Sequence, residues 1–432
     1  MIQIKNVLAL LDAGEKGFQL ARTDIFIKDG KIASFGKAPE DFFAEKIIDG
    51  TRKLAMPGLV NAHTHSYMTV FRNCADDRSF EDWLFKYIMP LEEKLVPEDA
   101  YWGSLLAMIE MIKTGTTCFT DMHMHINQVP KAAVEMGIRA VITRGLAGET
   151  LADGGQRRLD EAFSEINNWK DEENISFMLA PHAPYSCGKE YLKVIAQMAK
   201  ENDLGINIHL SESLFEVESA RENFGVTPIE YVDSLGLFEN RTVAAHCVNL
   251  SENDFNILKE KNVSVATNPA SNMKLGNGFA PVAELLKRGI NVCLGTDGAA
   301  SNNSLNMFRE MGFLGLIHKG TAKDPLPVSA ADCIKAATAN GAKAAGLSDK
   351  IGKIEAGMDA DIILIDMDTP AFNPFNNSIS ALVYSAGGYE VDTVMVKGKI
   401  LMEGRILTTI DEEKVYYKVN EIAKRLGIGE NL

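Results

Sequence analysis

MPGLVNAHTH, residues 56–65, carries an apolar, β-prone run straight into two histidines two positions apart. The same form, a short apolar run ending on polar residues, returns seven times: GTTCFTDM (115–122), IRAVITRG (138–145), ISFMLAPH (175–182), GINIHLSE (205–212), TVAAHCV (242–248), VSVATNP (263–269) and INVCLGTDG (290–298). Between the runs lie stretches with helical spacing, such as Tyr191, Leu192, Ile195 and Met198, or Phe255 and Leu258. Strands that alternate with helices pair in parallel, because a parallel neighbour needs a crossover long enough to hold a helix. Eight such units imply an α/β fold, a closed (βα)8 TIM barrel, expected over residues 57–349.

Both flanks of the barrel read as β. IQIKNVLAL and DIFIKDGKIASFG precede it, DADIILIDMD and DTVMVKGKILMEG follow it, and KDGKI and VKGKI each look like a tight glycine hairpin. A small β-sandwich domain built from both chain ends, 1–56 with 350–410, is the expected arrangement. A helix within 411–432 closes the chain, with Thr409 and Glu412 fitting a capping box.

Composition excludes several classes of function. The chain has 432 residues, 44 Lys and Arg against 59 Asp and Glu, a net charge of −15 and 46% hydrophobic residues. That balance, without any basic run, argues against nucleic acid, and no apolar stretch approaches the ~18 residues of a membrane span. A small-molecule partner is expected, as is assembly into a homo-oligomer. The six cysteines are scattered without a C-x-x-C pair, so they read as reduced thiols of a cytoplasmic protein. The N-terminus has no apolar run long enough for a signal-peptide core.

In a barrel of this kind, chemistry sits at the C-terminal ends of the strands. Here those ends carry His63 and His65, Asp121, Arg144, His182, His209 with Glu212, His246 and Asp297, which include five of the eight histidines. Side chains two apart on a strand share a face, so His63 and His65 can converge on one cation. His209, His246 and Asp297 can complete the site, since zinc accepts imidazole and carboxylate and a catalytic site keeps one position open. Glu212, three residues beyond His209, can swing back over the same site as a proton carrier. The bland readings are a core histidine for His209, a turn residue for Asp297 and a helix N-terminal carboxylate for Glu212. A second H-x-H pair, His123 and His125, reads as a loop or supporting feature. Cys247 and His318 read as packing. P-C-x-x-C, G-x-x-x-x-G-K-[ST], G-x-G-x-x-G and G-x-S-x-G are all missing.

PGLVNAHTH, NIHLSES, AAHCV, GTDGAASNN and GKIEAGMDADIILID together resemble the amidohydrolase superfamily over nearly the whole chain. More narrowly, SFEDWLFKYIMPLEEKL, TRGL, APHAPYS and NPASNMKLGNG resemble its 5′-methylthioadenosine/S-adenosylhomocysteine deaminases. The resemblance implies one divalent metal, zinc with iron(II) as the alternative, on His63, His65, His209 and Asp297. It also implies that His246 orients the hydrolytic water and that Glu212 shuttles protons. The fourth run lacks the lysine that bridges two metals in binuclear relatives, which favours a single metal. A metal brings the pKa of water towards about 7. The resemblance implies that Asp297 can then take the water proton, that Glu212 can protonate adenine N1 as C6 is attacked, and that both are among the substrate-binding residues. The resemblance further implies that Glu92 binds the ribose hydroxyls, that His182 contacts the nucleoside and that Trp83 packs against the 5′ substituent. Arg144 and Arg158 would bind a homocysteine carboxylate, and the adjacent Arg157 can take the role of Arg158. Two alternatives stay open: an aminohydrolase or chlorohydrolase acting on guanine, cytosine or a triazine, and a barrel retained only as a binding scaffold.

Overall fold

The computed structural model describes residues 1–14 and 17–429. The eight runs form eight parallel strands: Leu59–Thr64, Thr116–His123, Arg139–Leu146, Ile175–Pro181, Gly205–Leu210, Thr242–His246, Ser264–Thr267 and Asn291–Leu294. Each is hydrogen-bonded to the next in chain order. Helices fill the crossovers, and Tyr191, Leu192 and Ile195 on Lys189–Glu201 and Phe255 and Leu258 on Glu252–Glu260 turn inward as their spacing predicts. The ring closes between its last and first strands. The Asp297 amide donates to the His63 carbonyl (3.0 Å), and the Asn61 side chain binds Thr296 at its hydroxyl (2.7 Å) and its amide (3.0 Å).

Several strands stop before their apolar runs do. Ser211, His246, Cys247 and Asp297 have φ of +51°, +74°, +48° and +60°, so the backbone turns into the left-handed region where the ladder ends. That turn at the barrel rim costs backbone energy, and it aims polar side chains over the barrel mouth.

The two flanks form one nine-stranded sheet. Its joint is Lys53–Pro57, which pairs in parallel with the N-terminal strand (Leu8 opposite Leu54) and antiparallel with Ile362–Asp366 (Leu364 opposite Ala55). The strand period of two divides the burial: Ala55, Ile362 and Leu364 enter the small domain's own core, whereas Leu54, Met56, Ile363 and Ile365 pack into the main core. Both predicted hairpins have two left-handed central residues, Asp29-Gly30 and Lys397-Gly398, the condition for a type I′ turn. Buried Arg139 of the third barrel strand ties the two parts, pairing with Asp361 and Asp359 at 3.0 Å each.

The closing helix spans Glu412–Leu426. Its cap is Asp411, whose carboxylate accepts the Lys414 amide, instead of the expected Thr409. Among the described residues no helix is long and apolar enough to cross a membrane.

Candidate active site

The strand ends bring His63, His65, His209 and Asp297 together, with one potential ligand atom of each lying within 4.8 Å of all the others. The surrounding hydrogen bonds orient them. His65 Nδ1–H donates to the Met122 carbonyl and His209 Nδ1–H to the His182 carbonyl, both at 2.7 Å, which leaves each Nε2 for the cluster. Those Nε2 atoms lie 3.3 Å apart. Asp297 Oδ1 is 3.3 Å from His65 Nε2 and 3.7 Å from His63 Nε2. Its other oxygen, Oδ2, accepts the hydroxyls of Ser271 and Ser301, each at 2.7 Å.

His63 tests whether a cation fits. It is fully buried, and neither ring nitrogen has a hydrogen-bond partner. An imidazole orphaned in this way costs free energy that a metal–nitrogen bond would relieve. Burial and the neighbouring imidazoles hold His63 and His209 well below the usual histidine range, in the neutral form that ligates. Burial works against ionisation of Asp297, but the bond and charge of His65 outweigh it and hold this carboxyl well below its usual range. Against burial, the bond and charge of Asp297 raise His65 to about 9, a proton that a metal would displace; three imidazoles and one carboxylate then suit a divalent metal.

His246 and Glu212 complete the cluster. His246 Nδ1–H donates to the Asn272 side-chain oxygen (2.8 Å), so its Nε2 faces inward, 3.7 Å from Glu212 Oε2. Glu212 also accepts from Asn277 Nδ2 (3.1 Å), and burial raises its pKa above the ordinary carboxylate range. A cavity of about 60 Å³ lies over these groups, lined by His65, His182, His209, Glu212, His246 and Asp297, with Phe80, Trp83 and Leu84 against it. Trp83 Nε1 donates to the Ala300 carbonyl at 3.2 Å. His182, whose Nδ1 lies 2.8 Å from Ser186 Oγ, is pulled down to about 4 by burial.

The remaining expected substrate residues do not line this cavity. Glu92 ends the short helix Met89–Glu92 and accepts the hydroxyl of buried Tyr67. Arg144 is buried at the end of the third strand and bound to Glu161 through Nε (3.2 Å) and Nη2 (2.8 Å). Arg158 is half-buried and has one long contact, 3.4 Å to the Asp153 carbonyl, whereas Arg157 is exposed and paired with Glu161. His123 lies apart from the ligand cluster, its Nε2 2.9 Å from Glu165. His318 and Cys247 are buried, away from the four donors.

Sequence reasoning missed Ser271, Ser301 and Asn272. Their signal was present in NPASN and GTDGAASNN, where small polar residues follow apolar strand ends; Ser301 acts within its own loop, four residues from Asp297, but the targets of Ser271 and Asn272 lie 26 residues away, about one barrel unit.

The comparisons agree with this architecture. Residues 54–401 match the model of the amidohydrolase family. The chain is 49% identical to a 5-methylthioadenosine/S-adenosylhomocysteine deaminase of Thermoanaerobacter pseudethanolicus, across 98% of each chain. Among solved structures it superposes on an adenosine deaminase from Xanthomonas campestris with bound zinc, at TM-score 0.94 and 30% identity, covering 99% of this chain and 98% of that one. Atrazine chlorohydrolase from Arthrobacter aurescens shares the fold at TM-score 0.91 with 23% identity, covering 98% and 100% of the two chains. A family match across most of the sequence, on the strands that carry the four-donor cluster, identifies this chain as a member of the amidohydrolase family.

Proposed function

We propose that the protein hydrolytically removes the C6 amino group of S-adenosylhomocysteine and 5′-methylthioadenosine, with adenosine as a further substrate, releasing ammonia and the inosine product. The observation that carries this reading is the convergence of Glu212 and His246 on one cavity with His65, His209 and Asp297, which with His63 make up the four-donor cluster. Near-full-length identity of 49% to a deaminase of this name supports the choice of substrate.

Zinc is the proposed cation, with iron(II) its competitor on the same donors. Bound there, it would supply the Lewis acidity that brings the pKa of a water towards about 7. The chain's own groups do the rest. Asp297 accepts the water proton, and its Oδ2 is already steadied by two serine hydroxyls. His246 keeps Nε2 towards the attacking oxygen because Asn272 holds its Nδ1. Glu212, whose pKa burial raises, donates at adenine N1 and makes C6 electrophilic. General acid–base help of this kind is worth about 10² to 10⁴ in rate. Collapse of the tetrahedral centre at C6 then expels ammonia, as the proton held by Asp297 passes to the leaving amino group and the C6 hydroxyl proton returns to Glu212.

Glu92 binds the ribose hydroxyls, Trp83 packs on the 5′ substituent and His182 contacts the nucleoside. Arg144 with Arg158, or Arg157 in place of Arg158, meets a carboxylate on the tail. A reducing, cytoplasmic setting fits six unpaired thiols. Assembly into a homo-oligomer belongs to the same reading, and solution mass measurement tests it. Metal analysis followed by a screen of the three nucleosides with guanine, cytosine and a triazine, read by ultraviolet absorbance and ammonia release, tests the function. Turnover of guanine alone would overturn it.

A further inference from the structure

The stretch Ser213-x-x-Glu216 has the form of a helix capping box, in which the glutamate reaches back to the amide of the capping residue. In the pairs Thr227/Glu230, Ser251/Asp254 and Ser329/Asp332 the carboxylate does accept the amide of the capping residue. At Leu214–Phe224 only half of the box is made: Ser213 Oγ accepts the Glu216 amide (3.2 Å), but the Glu216 carboxylate passes the cap. Its Oε1 accepts the amide of Ser211 (2.9 Å) and its Oε2 the amide of Glu212 (2.8 Å). Glu216 is 1% exposed, so both bonds are dry.

Those two amides flank the bend that points Glu212 at the site. Ser211 has φ of +51°, a conformation that a non-glycine residue holds only when its surroundings impose it. The far side of the bend is held as well. The Ser211 carbonyl accepts the amides of Val248 (3.0 Å) and Asn249 (2.9 Å), and the Glu212 carbonyl accepts Asn249 Nδ2 (3.2 Å). A carboxyl group offers an acceptor oxygen to each of the two amides, which an amide side chain cannot do. Burial outweighs the two amide hydrogen bonds and leaves the Glu216 pKa raised to about 8. A carboxyl is therefore kept, at an electrostatic cost, where a cap alone would not need it.

We infer that Glu216 is a positioning residue for the proton carrier Glu212, its carboxylate holding both amides of the Ser211–Glu212 bend so that the Glu212 side chain meets the reacting ring. This rests on the deaminase reading, in which Glu212 moves the proton. The test is Glu216→Gln in the metal-loaded enzyme, alone and combined with Glu212→Gln. Glutamine keeps one acceptor and sets its NH2 against the other amide. Glu216→Gln should lower kcat about 10- to 100-fold with KM within about threefold and metal stoichiometry unchanged, as expected when a supporting residue is removed. In the Glu212→Gln background the same change should alter the residual rate by less than about twofold, because the two act through one group. Glu216→Asp, one methylene short, should show the same non-additivity at a smaller cost. Additive losses, a rise in KM matching the fall in kcat, or loss of metal with activity would overturn the inference, as would failure of both Glu216 variants to fold. A wrong substrate assignment would show separately, as a wild-type enzyme inactive on the adenine nucleosides.

Discussion

Removing the two hydroxyls behind Asp297 isolates what the framework gives to the metal site. Ser271 and Ser301 each donate to Asp297 Oδ2 at 2.7 Å, which leaves Oδ1 to face His63 and His65. A hydrogen bond to a charged group is worth about 1.5 to 3 kcal/mol, so together the pair contributes roughly 3 to 6 kcal/mol to orienting one buried carboxylate. Much of this returns when the carboxylate rotates towards other donors, and loss of a supporting partner around a metal typically costs about 10- to 100-fold in affinity. Ser301→Ala alone leaves Ser271 in place, so a loss of no more than about tenfold is expected; the double alanine variant should approach 100-fold. Competition for zinc against a chromophoric chelator reads the affinity directly, and urea unfolding of the metal-free proteins checks that the fold survives. A double variant that folds and binds zinc within about twofold of wild type would refute the reasoning, because the orientation of Asp297 would then not depend on these serines.

Glu212→Gln should keep its metal and lose about 10² to 10⁴ in kcat, measured as ammonia release from the nucleoside; metal loss in parallel would place Glu212 in the framework instead. Arg144 already has a counterion in Glu161, so on the proposed reading a substrate carboxylate at Arg144 would have to displace it, whereas a methylthio tail would not. Glu161→Gln should therefore raise kcat/KM for S-adenosylhomocysteine relative to 5′-methylthioadenosine about tenfold, the effect of roughly 1.4 kcal/mol; an unchanged ratio would remove Arg144 from the tail site. His318 is buried within the helix Met307–Ala322, where desolvation first and Lys319 second lower its pKa from 6.5 to about 4. The unfolded chain takes up this proton first, so the contribution is present above pH 6.5 and is lost as pH falls towards 4. Between pH 7 and 5 that amounts to about 2 kcal/mol, and urea unfolding of the metal-free His318→Phe variant should show a pH dependence weaker by that amount; equal slopes in variant and wild type would refute it.

Much of the architecture was readable because strand ends carry their own chemistry. His63 and His65 share a face by strand geometry, and rare histidines recurring at successive strand ends left few arrangements other than a common mouth. The double glycine-type turns at Asp29-Gly30 and Lys397-Gly398 were equally local. What escaped depends on contacts between neighbouring barrel units. Ser271 reaches Asp297, Asn272 reaches His246 and Asn277 reaches Glu212 only once parallel strands set their loops side by side. Arg144 could be named from its strand end, but its partner Glu161 lies on the following helix, out of reach of any local rule. The Glu216 pattern was visible and would have been misread, since sequence alone assigns that carboxylate to the Ser213 amide.

The seam between the last and first barrel strands has a consequence of its own. The His63 carbonyl and the Asp297 amide join there, and the side chains of the same two residues point into the ligand cluster. A cation shared by them would act as the buckle of a hoop, fastening the two ends of a strip that are far apart along the chain. Its binding energy is then folding energy, because the unfolded chain has no such site. Opening the ring at this point would separate two of the ion's ligands. Metal supply would therefore govern how long the protein lasts as well as how fast it works, and slow exchange of the Asp297 amide hydrogen would report a fastened ring without any substrate present.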